Sequence, residues 1–243
     1  MTSPINAAQV PTPPAAGQVI ILIMELNPDG EGWQDHCREL PANEQERTYR
    51  FRYAADRLRF AKCRLMLREV VACWQCITKN EVTFRFGRNG KPFLVQDHGL
   101  QFNISHTTGC AVLALCHNHE IGIDIEMTSR NTNFEGVARK VFTRREQEML
   151  MSLSKSEKRK LFFQLWTAKE SLMKATGLGF SLNPSSVETF LPKDSGDTGG
   201  FSSQNLPTAN AFQVVEIPVS PGYQSMLCAP TQVMEKPPLI FTV

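Results

Sequence analysis

The chain has 243 residues, enough for one large domain or two of about half that length. Hydrophobic residues make up 42%, charged residues 21%, and the formal net charge is +2. That composition suits a globular chain with a substantial core, and the charge is too small to argue for nucleic acid or a membrane as partner.

In chain order, residues 1–17 carry four prolines and several small residues and read as a loose leader. Val19-Ile-Ile-Leu-Ile-Met24 is far too short to cross a bilayer and has no basic residue before it, so it reads as a buried first strand rather than an anchor or signal peptide. Asn43-Glu-Gln-Glu46 resembles an N-cap with a capping-box glutamate, opening a helix to about residue 51. From residue 54 to about 76, Leu58, Ala61, Leu65, Val71 and Trp74 keep helical spacing, with Arg57, Arg64 and Arg68 as a polar stripe. Strands are predicted at 82–86, at 92–95 and in a run from 102 to 116.

His117 and His119 fall in a polar segment without a third ligand nearby, which reads as a hairpin tip rather than a metal site. Residues 122–126 form the next strand, 128–133 a polar loop and 134–151 a helical region. Ser154-x-x-Glu157 is a capping box that starts a helix ending at Gly177. Strands follow at 187–191, 212–217 and 224–229, and residues 192–208, rich in Gly, Ser, Asp and Asn, read as a mobile hairpin loop.

The order strand, helices, strands therefore occurs twice. It predicts an α+β pseudo-dimer of two similar halves, 18–117 and 118–243, with the ligand cleft at their interface. Seven cysteines, an odd number without paired zinc spacing, suit reduced thiols in the cytoplasm. Cys73-Trp-Gln-Cys76 matches a C-x-x-C pattern but falls late in a helix, and its thiols are read as structural.

Two segments carry the chemistry. In Gly122-Ile-Asp-Ile-Glu126 a strand would put Asp124 and Glu126 on one face. In Trp166-Thr-Ala-Lys-Glu-Ser-Leu-Met-Lys174 a helix would put Glu170 and Lys174 one turn apart on another. Paired carboxylates with a third nearby suit Mg²⁺, and a lysine beside them suits phosphoryl chemistry.

Asn89-Gly-Lys-Pro92, Phe102-Asn-Ile-Ser-His-Thr107, Gly122-Ile-Asp-Ile-Glu126 and Trp166-x-x-Lys-Glu-x-x-x-Lys174, in this order, resemble the 4′-phosphopantetheinyl transferase superfamily. The likeness is to its two-halved monomeric branch, similar to the surfactin-synthetase-activating enzymes, over about residues 40–190. The resemblance implies transfer of the phosphopantetheine arm of coenzyme A to a serine of an acyl or peptidyl carrier protein. Adenosine 3′,5′-bisphosphate would be released. It implies further that Asp124, Glu126 and Glu170 ligate Mg²⁺, with Mn²⁺ an alternative. Lys91, Pro92, Asn103, Ser105, His106, Lys169 and Lys174 would line the coenzyme A site. Basic residues among Arg47, Arg50, Arg52 and Arg59 would bind the ribose 3′-phosphate.

On this reading the catalytic set is Asp124, His106, Glu170 and Lys174. Glu170, or a water held by the metal, would take the serine proton, and Lys174 would offset charge on the leaving phosphate. His106 suits a donor to phosphate better than a base, and Ser105 need not be a nucleophile. Lys169 lies about 100° round the helix from Glu170 and is expected to face solvent or substrate. Trp166 is expected to pack the helix on its sheet, and Phe142 and Glu146 match a further family pattern. Arg139, Lys140, Arg144 and Arg145 are the expected docking patch for an acidic carrier. The competing functions are a Mg²⁺-dependent phosphodiesterase or nuclease, and a noncatalytic RNA-binding module built on the arginines at 57–68.

Overall fold

The computed structural model describes residues 10–87, 90–96, 99–130, 133–194, 196–204, 206 and 211–243. Its first strand, β1 (Ile20–Glu25), is buried on both faces. Ile20, Leu22 and Met24 pack with Leu67, Val70 and Val71 of the helix Ala54–Gln75, while Val19, Ile21 and Ile23 meet Ile121, Ile123 and Ile125. A strand covered on both sides needs no apolar-polar alternation, which explains the continuous apolar run.

Three helices follow: α1 (Trp33–Arg38), α2 (Ala42–Arg50) and α3 (Ala54–Gln75). A short hairpin, β2 (Phe84–Phe86) and β3 (Pro92–Leu94), leads into β4 (Leu100–Thr107) and β5 (Cys110–His117). β6 (Gly122–Met127) opens the second half, followed by α4 (Phe134–Val141), α5 (Arg144–Met151) and α6 (Lys155–Thr176). The chain then forms β7 (Glu188–Phe190), β8 (Gly199–Ser202), β9 (Phe212–Glu216), β10 (Tyr223–Pro230), α7 (Thr231–Met234) and β11 (Leu239–Thr242).

The first sheet has the order β11-β1-β5-β4 and the second β6-β10-β9-β8-β7. The layers run α3, first sheet, second sheet, α6: the inner sheet faces share one apolar core, and each outer face is covered by its own long helix. Because β6 alternates, Ile123 and Ile125 enter the shared core while Asp124 and Glu126 turn the other way, towards α6. The helix lies so close to β6 that a Cβ at Gly122 would stand 2.0 Å from the Ser171 carbonyl oxygen. Glycine is required there for contact, not for a turn.

The two sheets also meet edge to edge. Asn103, Ser105 and Thr107, alternate residues of β4, accept hydrogen bonds from the backbone N–H groups of Ile123, Ile125 and Met127 at 2.9, 3.3 and 3.3 Å. Polar side chains of one edge strand thus stand in for the missing ladder of the other.

The structure corrects several expectations. The helical region 134–151 is two helices, because Thr143 caps the second, its Oγ1 accepting from Glu146 N and its N–H donating to the Glu146 carboxylate. α2 begins after Pro41, not at a side-chain cap by Asn43. The segment 192–208 contributes β8 to the second sheet. The polar stripe of α3 is buried at two of its members: Arg68 Nε donates to Glu44 at 2.8 Å, Arg64 Nε lies 3.7 Å from the same buried carboxylate, and both guanidiniums sit over the Phe84 ring. The leader from Val10 onward is docked, with Trp74 Nε1 donating to the Pro11 carbonyl at 2.6 Å. All seven cysteines are free, and only Cys73 and Cys76 are exposed. Among the described residues, no helix is long and apolar enough to cross a membrane.

Candidate active site

α6 begins at the Ser154 box, with Ser154 N donating to the Glu157 carboxylate at 3.1 Å, and ends at Gly177 with φ 66°. Between these ends its i, i+4 ridge carries Phe162, Trp166, Glu170 and Lys174 in a row. Lys174 Nζ donates to Asp124 Oδ1 at 2.6 Å, to Ser105 Oγ at 2.9 Å and to the Ile123 carbonyl at 3.3 Å. Ser105 Oγ in turn donates to Asp124 Oδ1 at 2.8 Å. Glu126 is held at both oxygens, by Trp166 Nε1 at 3.0 Å and Arg130 Nη1 at 3.2 Å.

The negative charge here outweighs the positive. Burial, then the neighbouring Asp124 carboxylate, pushes the Glu170 pKa up to about 7. The same two causes raise Glu126, opposed by the Trp166 N–H and by Arg130. His106, exposed, is pushed below the usual histidine value by surrounding protein and then by the charges of Arg59 and Lys174.

A recess of about 230 Å³ opens beside Glu170 and Lys174, lined also by Lys91, Pro92, Asn103 and Phe180 among others, so both halves build it. Among the described residues no three His, Cys, Asp or Glu side chains already form a metal cage. The donor set still fits a hard divalent cation: Asp124, Glu126 and Glu170 are met by Lys174 and the more exposed Arg130, and among the described residues Asp124 Oδ2 is buried without a hydrogen-bond partner.

The expected coenzyme A contacts separate into groups. Pro92, Asn103 and Lys174 line the recess, and Arg59 is the member of the arginine set whose charge reaches His106. Lys91 lines the recess too, but its ammonium donates to the carbonyls of Lys174 and Ala175 at 2.9 and 3.0 Å. The free carbonyls of a helix C-terminus attract a cation, so Lys91 clamps α6 and its N–H donors are engaged there. Ser105 is likewise spent on the seam, its buried hydroxyl engaged by Asp124, Lys174 and Ile125.

Lys169 faces neither solvent nor substrate. It is 1% exposed, lies 3.0 Å from Glu146 and donates to the Pro184 and Val187 carbonyls. Arg47 and Arg50 line a separate recess of about 620 Å³ with Arg64 and Arg68, and Arg52 lies over the Tyr53 ring at 5.3 Å. Asn89 lies outside the described residues. Sequence reading missed the hydrogen bond from Trp166 to Glu126, although their neighbours Glu170 and Asp124 had already been paired. It also missed Phe180, 69% exposed at the rim of the recess.

Compared with known proteins, residues 120–228 match the family model described as "4′-phosphopantetheinyl transferase superfamily", and residues 25–118 the model described as "4′-phosphopantetheinyl transferase, N-terminal". The chain is 36% identical to the 4′-phosphopantetheinyl transferase HetI of Nostoc sp., over 61% of this chain and 64% of that protein. The match thus spans a little less than two thirds of that relative. It is 31% identical to the 4′-phosphopantetheinyl transferase Sfp of Bacillus subtilis, over 76% of this chain and 80% of that protein. A solved holo-(acyl-carrier-protein) synthase of Bacillus anthracis, in complex with CoA (3′,5′-ADP), aligns over 46% of this chain and 94% of that one, at 18% identity and TM-score 0.38.

Proposed function

The chain belongs to the 4′-phosphopantetheinyl transferase superfamily, and from that premise we propose that it moves the phosphopantetheine arm of coenzyme A onto a serine of an acyl or peptidyl carrier protein. Adenosine 3′,5′-bisphosphate is the other product. The observation that carries this reading is the convergence of Asp124 and Glu126 on one face of β6 with Glu170 and Lys174 on one ridge of α6, the latter two lining a recess to which both halves contribute.

In this reading Asp124, Glu126 and Glu170 would hold Mg²⁺, or Mn²⁺. The ion supplies neutralisation of the coenzyme A pyrophosphate. Glu170 accepts the proton of the carrier serine, whose oxygen forms a bond to the phosphorus next to the pantetheine. The bond from that phosphorus to the adenosine bisphosphate breaks, and the leaving oxygen keeps the electron pair. Lys174 is already committed to Asp124 and Ser105, so it acts on the leaving phosphate by its nearby charge and not by a free N–H. Arg59 and His106 receive the 3′-phosphate, a reading supported by the closeness of the Arg59 charge to His106. The protein acts as a cytoplasmic monomer, and its carriers dock over Arg139, Lys140, Arg144 and Arg145 at the junction of α4 and α5. Family membership leaves the nuclease and RNA-binding alternatives without support.

The test is direct. The protein is incubated with coenzyme A, Mg²⁺ and a panel of apo acyl and peptidyl carriers, and the carriers are weighed intact. A gain of one phosphopantetheine per carrier is expected; no gain on any of them would sink the proposal.

A further inference from the structure

Glu126 differs from the other two carboxylates of the cleft in being held at both oxygens. Trp166 Nε1 donates to Oε1 at 3.0 Å and Arg130 Nη1 to Oε2 at 3.2 Å. A carboxylate has about four lone-pair directions, so two donors leave two free and fix which way they point.

The Trp166 donor is itself immobilised. Its ring stacks on Phe162 with an interplanar angle of 5° and centroids 6.4 Å apart. Phe162 is 2% exposed and touches Phe134, Phe142 and Phe163 with centroids 4.6, 5.4 and 5.4 Å away. The loop after β6 is tied to the same helix, because Arg159 of α6 donates to the carbonyls of Thr128 and Arg130. Phe162, Trp166 and Glu170 share one ridge of α6. One rigid aromatic platform therefore fixes the spacing of Glu126, on the strand, from Glu170, on the helix.

We propose that Trp166 is a positioning residue: its indole N–H, held on the Phe162 platform, sets the direction in which Glu126 presents its free lone pairs to the divalent ion. This rests on the ion reading above. Hydrogen-bond partners of metal-binding side chains commonly contribute 10- to 100-fold to metal affinity or activity. A ring that only packs the helix would contribute through its shape alone, and its N–H would be dispensable.

The test compares the wild-type chain with Trp166→Phe, which keeps a ring on Phe162 and removes the donor. Mg²⁺ is titrated calorimetrically into each protein in the presence of coenzyme A, and the half-saturating Mg²⁺ for carrier modification is measured alongside. The expected result is a loss of about tenfold or more in Mg²⁺ affinity, with the coenzyme A KM at saturating Mg²⁺ changed less than about twofold. Should Trp166→Phe fail to fold, benzothienylalanine at 166 gives the same comparison, since it has the shape of the indole without the N–H. Unchanged Mg²⁺ affinity in a folded variant overturns the proposal, as does a benzothienylalanine protein that behaves as wild type. A wild-type protein that neither binds nor needs a divalent ion overturns the ion reading itself, and is recognised by failure before any variant is made.

Discussion

α6 carries two lysines that each meet a carboxylate, five residues apart, and the two pairs are built oppositely. Lys169 and Glu146 form a closed pair. The ammonium is met by Glu146 and two carbonyls, and the carboxylate also accepts from the backbone N–H groups of Thr143 and Thr189 at 2.8 and 2.9 Å. Lys174 and Asp124 form an open pair. The ammonium is fully engaged, yet among the described residues Asp124 Oδ2 has no partner, and Glu126 and Glu170 add charge that Arg130 and Lys174 offset only in part, since both carboxyls still titrate above their ordinary value. A buried pair with every polar atom satisfied holds α5, β7 and α6 together, whereas one left short of positive charge is prepared for a cation from outside.

The strongest way to break this comparison is Glu170→Gln. Loss of the proposed base should lower kcat by about 10²- to 10⁴-fold, while thermal unfolding shows the variant to be the more stable protein at pH 8. The sign follows from the raised pKa. Folding holds the Glu170 proton from its ordinary value of 4.5 up to about 7, so native stability falls as pH rises through that window, and glutamine removes the loss. The Tm advantage should shrink as pH is lowered towards 4.5; retained activity, or a lower Tm at pH 8, would contradict the open-pair reading.

Lys169→Met should act on the fold instead, costing roughly 3–5 kcal/mol in denaturant unfolding because Glu146 is left buried and unpaired. Adding Glu146→Gln should recover part of that cost. A Lys169→Met protein with wild-type stability and a raised coenzyme A KM would restore Lys169 to the binding site. Lys174→Ala is expected to lower kcat by about 10²- to 10³-fold and also to lower Tm, because it strands the buried Asp124 carboxylate, though by less than Lys169→Met since Lys174 is partly exposed. A pure KM effect would recast Lys174 as a binding residue. The smallest effect is expected at the surface: reversing Arg144 and Arg145 to Glu should raise the carrier KM by about three- to tenfold, on the order of 1 kcal/mol. Arg144 and Arg145 are already paired with Glu148 at 2.9 Å and Glu188 at 3.8 Å, which limits the loss. Unchanged carrier kinetics would place the docking surface elsewhere.

What was legible in the sequence follows the same division. β6 and α6 were readable because alternation and a capping box are local, and these local patterns fixed the faces of Asp124, Glu126, Glu170 and Lys174. The inward turn of Lys169 was not, because its partners Glu146, Pro184 and Val187 come from three other segments and no spacing within α6 announces them. The burial of Arg64 and Arg68 is hidden for a related reason: their polar stripe shows in the spacing of α3, but Glu44, which pairs with it, comes from α2. β8 was invisible because Gly199 and Gly200 carry no strand preference, and pairing with β9 supplies the conformation. The seam of Asn103, Ser105 and Thr107 was half visible, as residues alternating on one strand, but their partners are backbone groups that sequence does not distinguish.

β11 returns from the second half to pair in parallel with β1, matching Ile20 with Leu239 and Ile23 with Thr242. The halves are therefore joined covalently twice, through residues 118–121 and again through the segment between β10 and β11. A body with one connector can swing open about it; a body with two, and a hydrogen-bonded seam between them, has lost that freedom. On the proposed function, admission of the long donor molecule would fall to side chains at the rim such as Phe180, and the spacing between the carboxylates would be protected from the traffic of substrates and products.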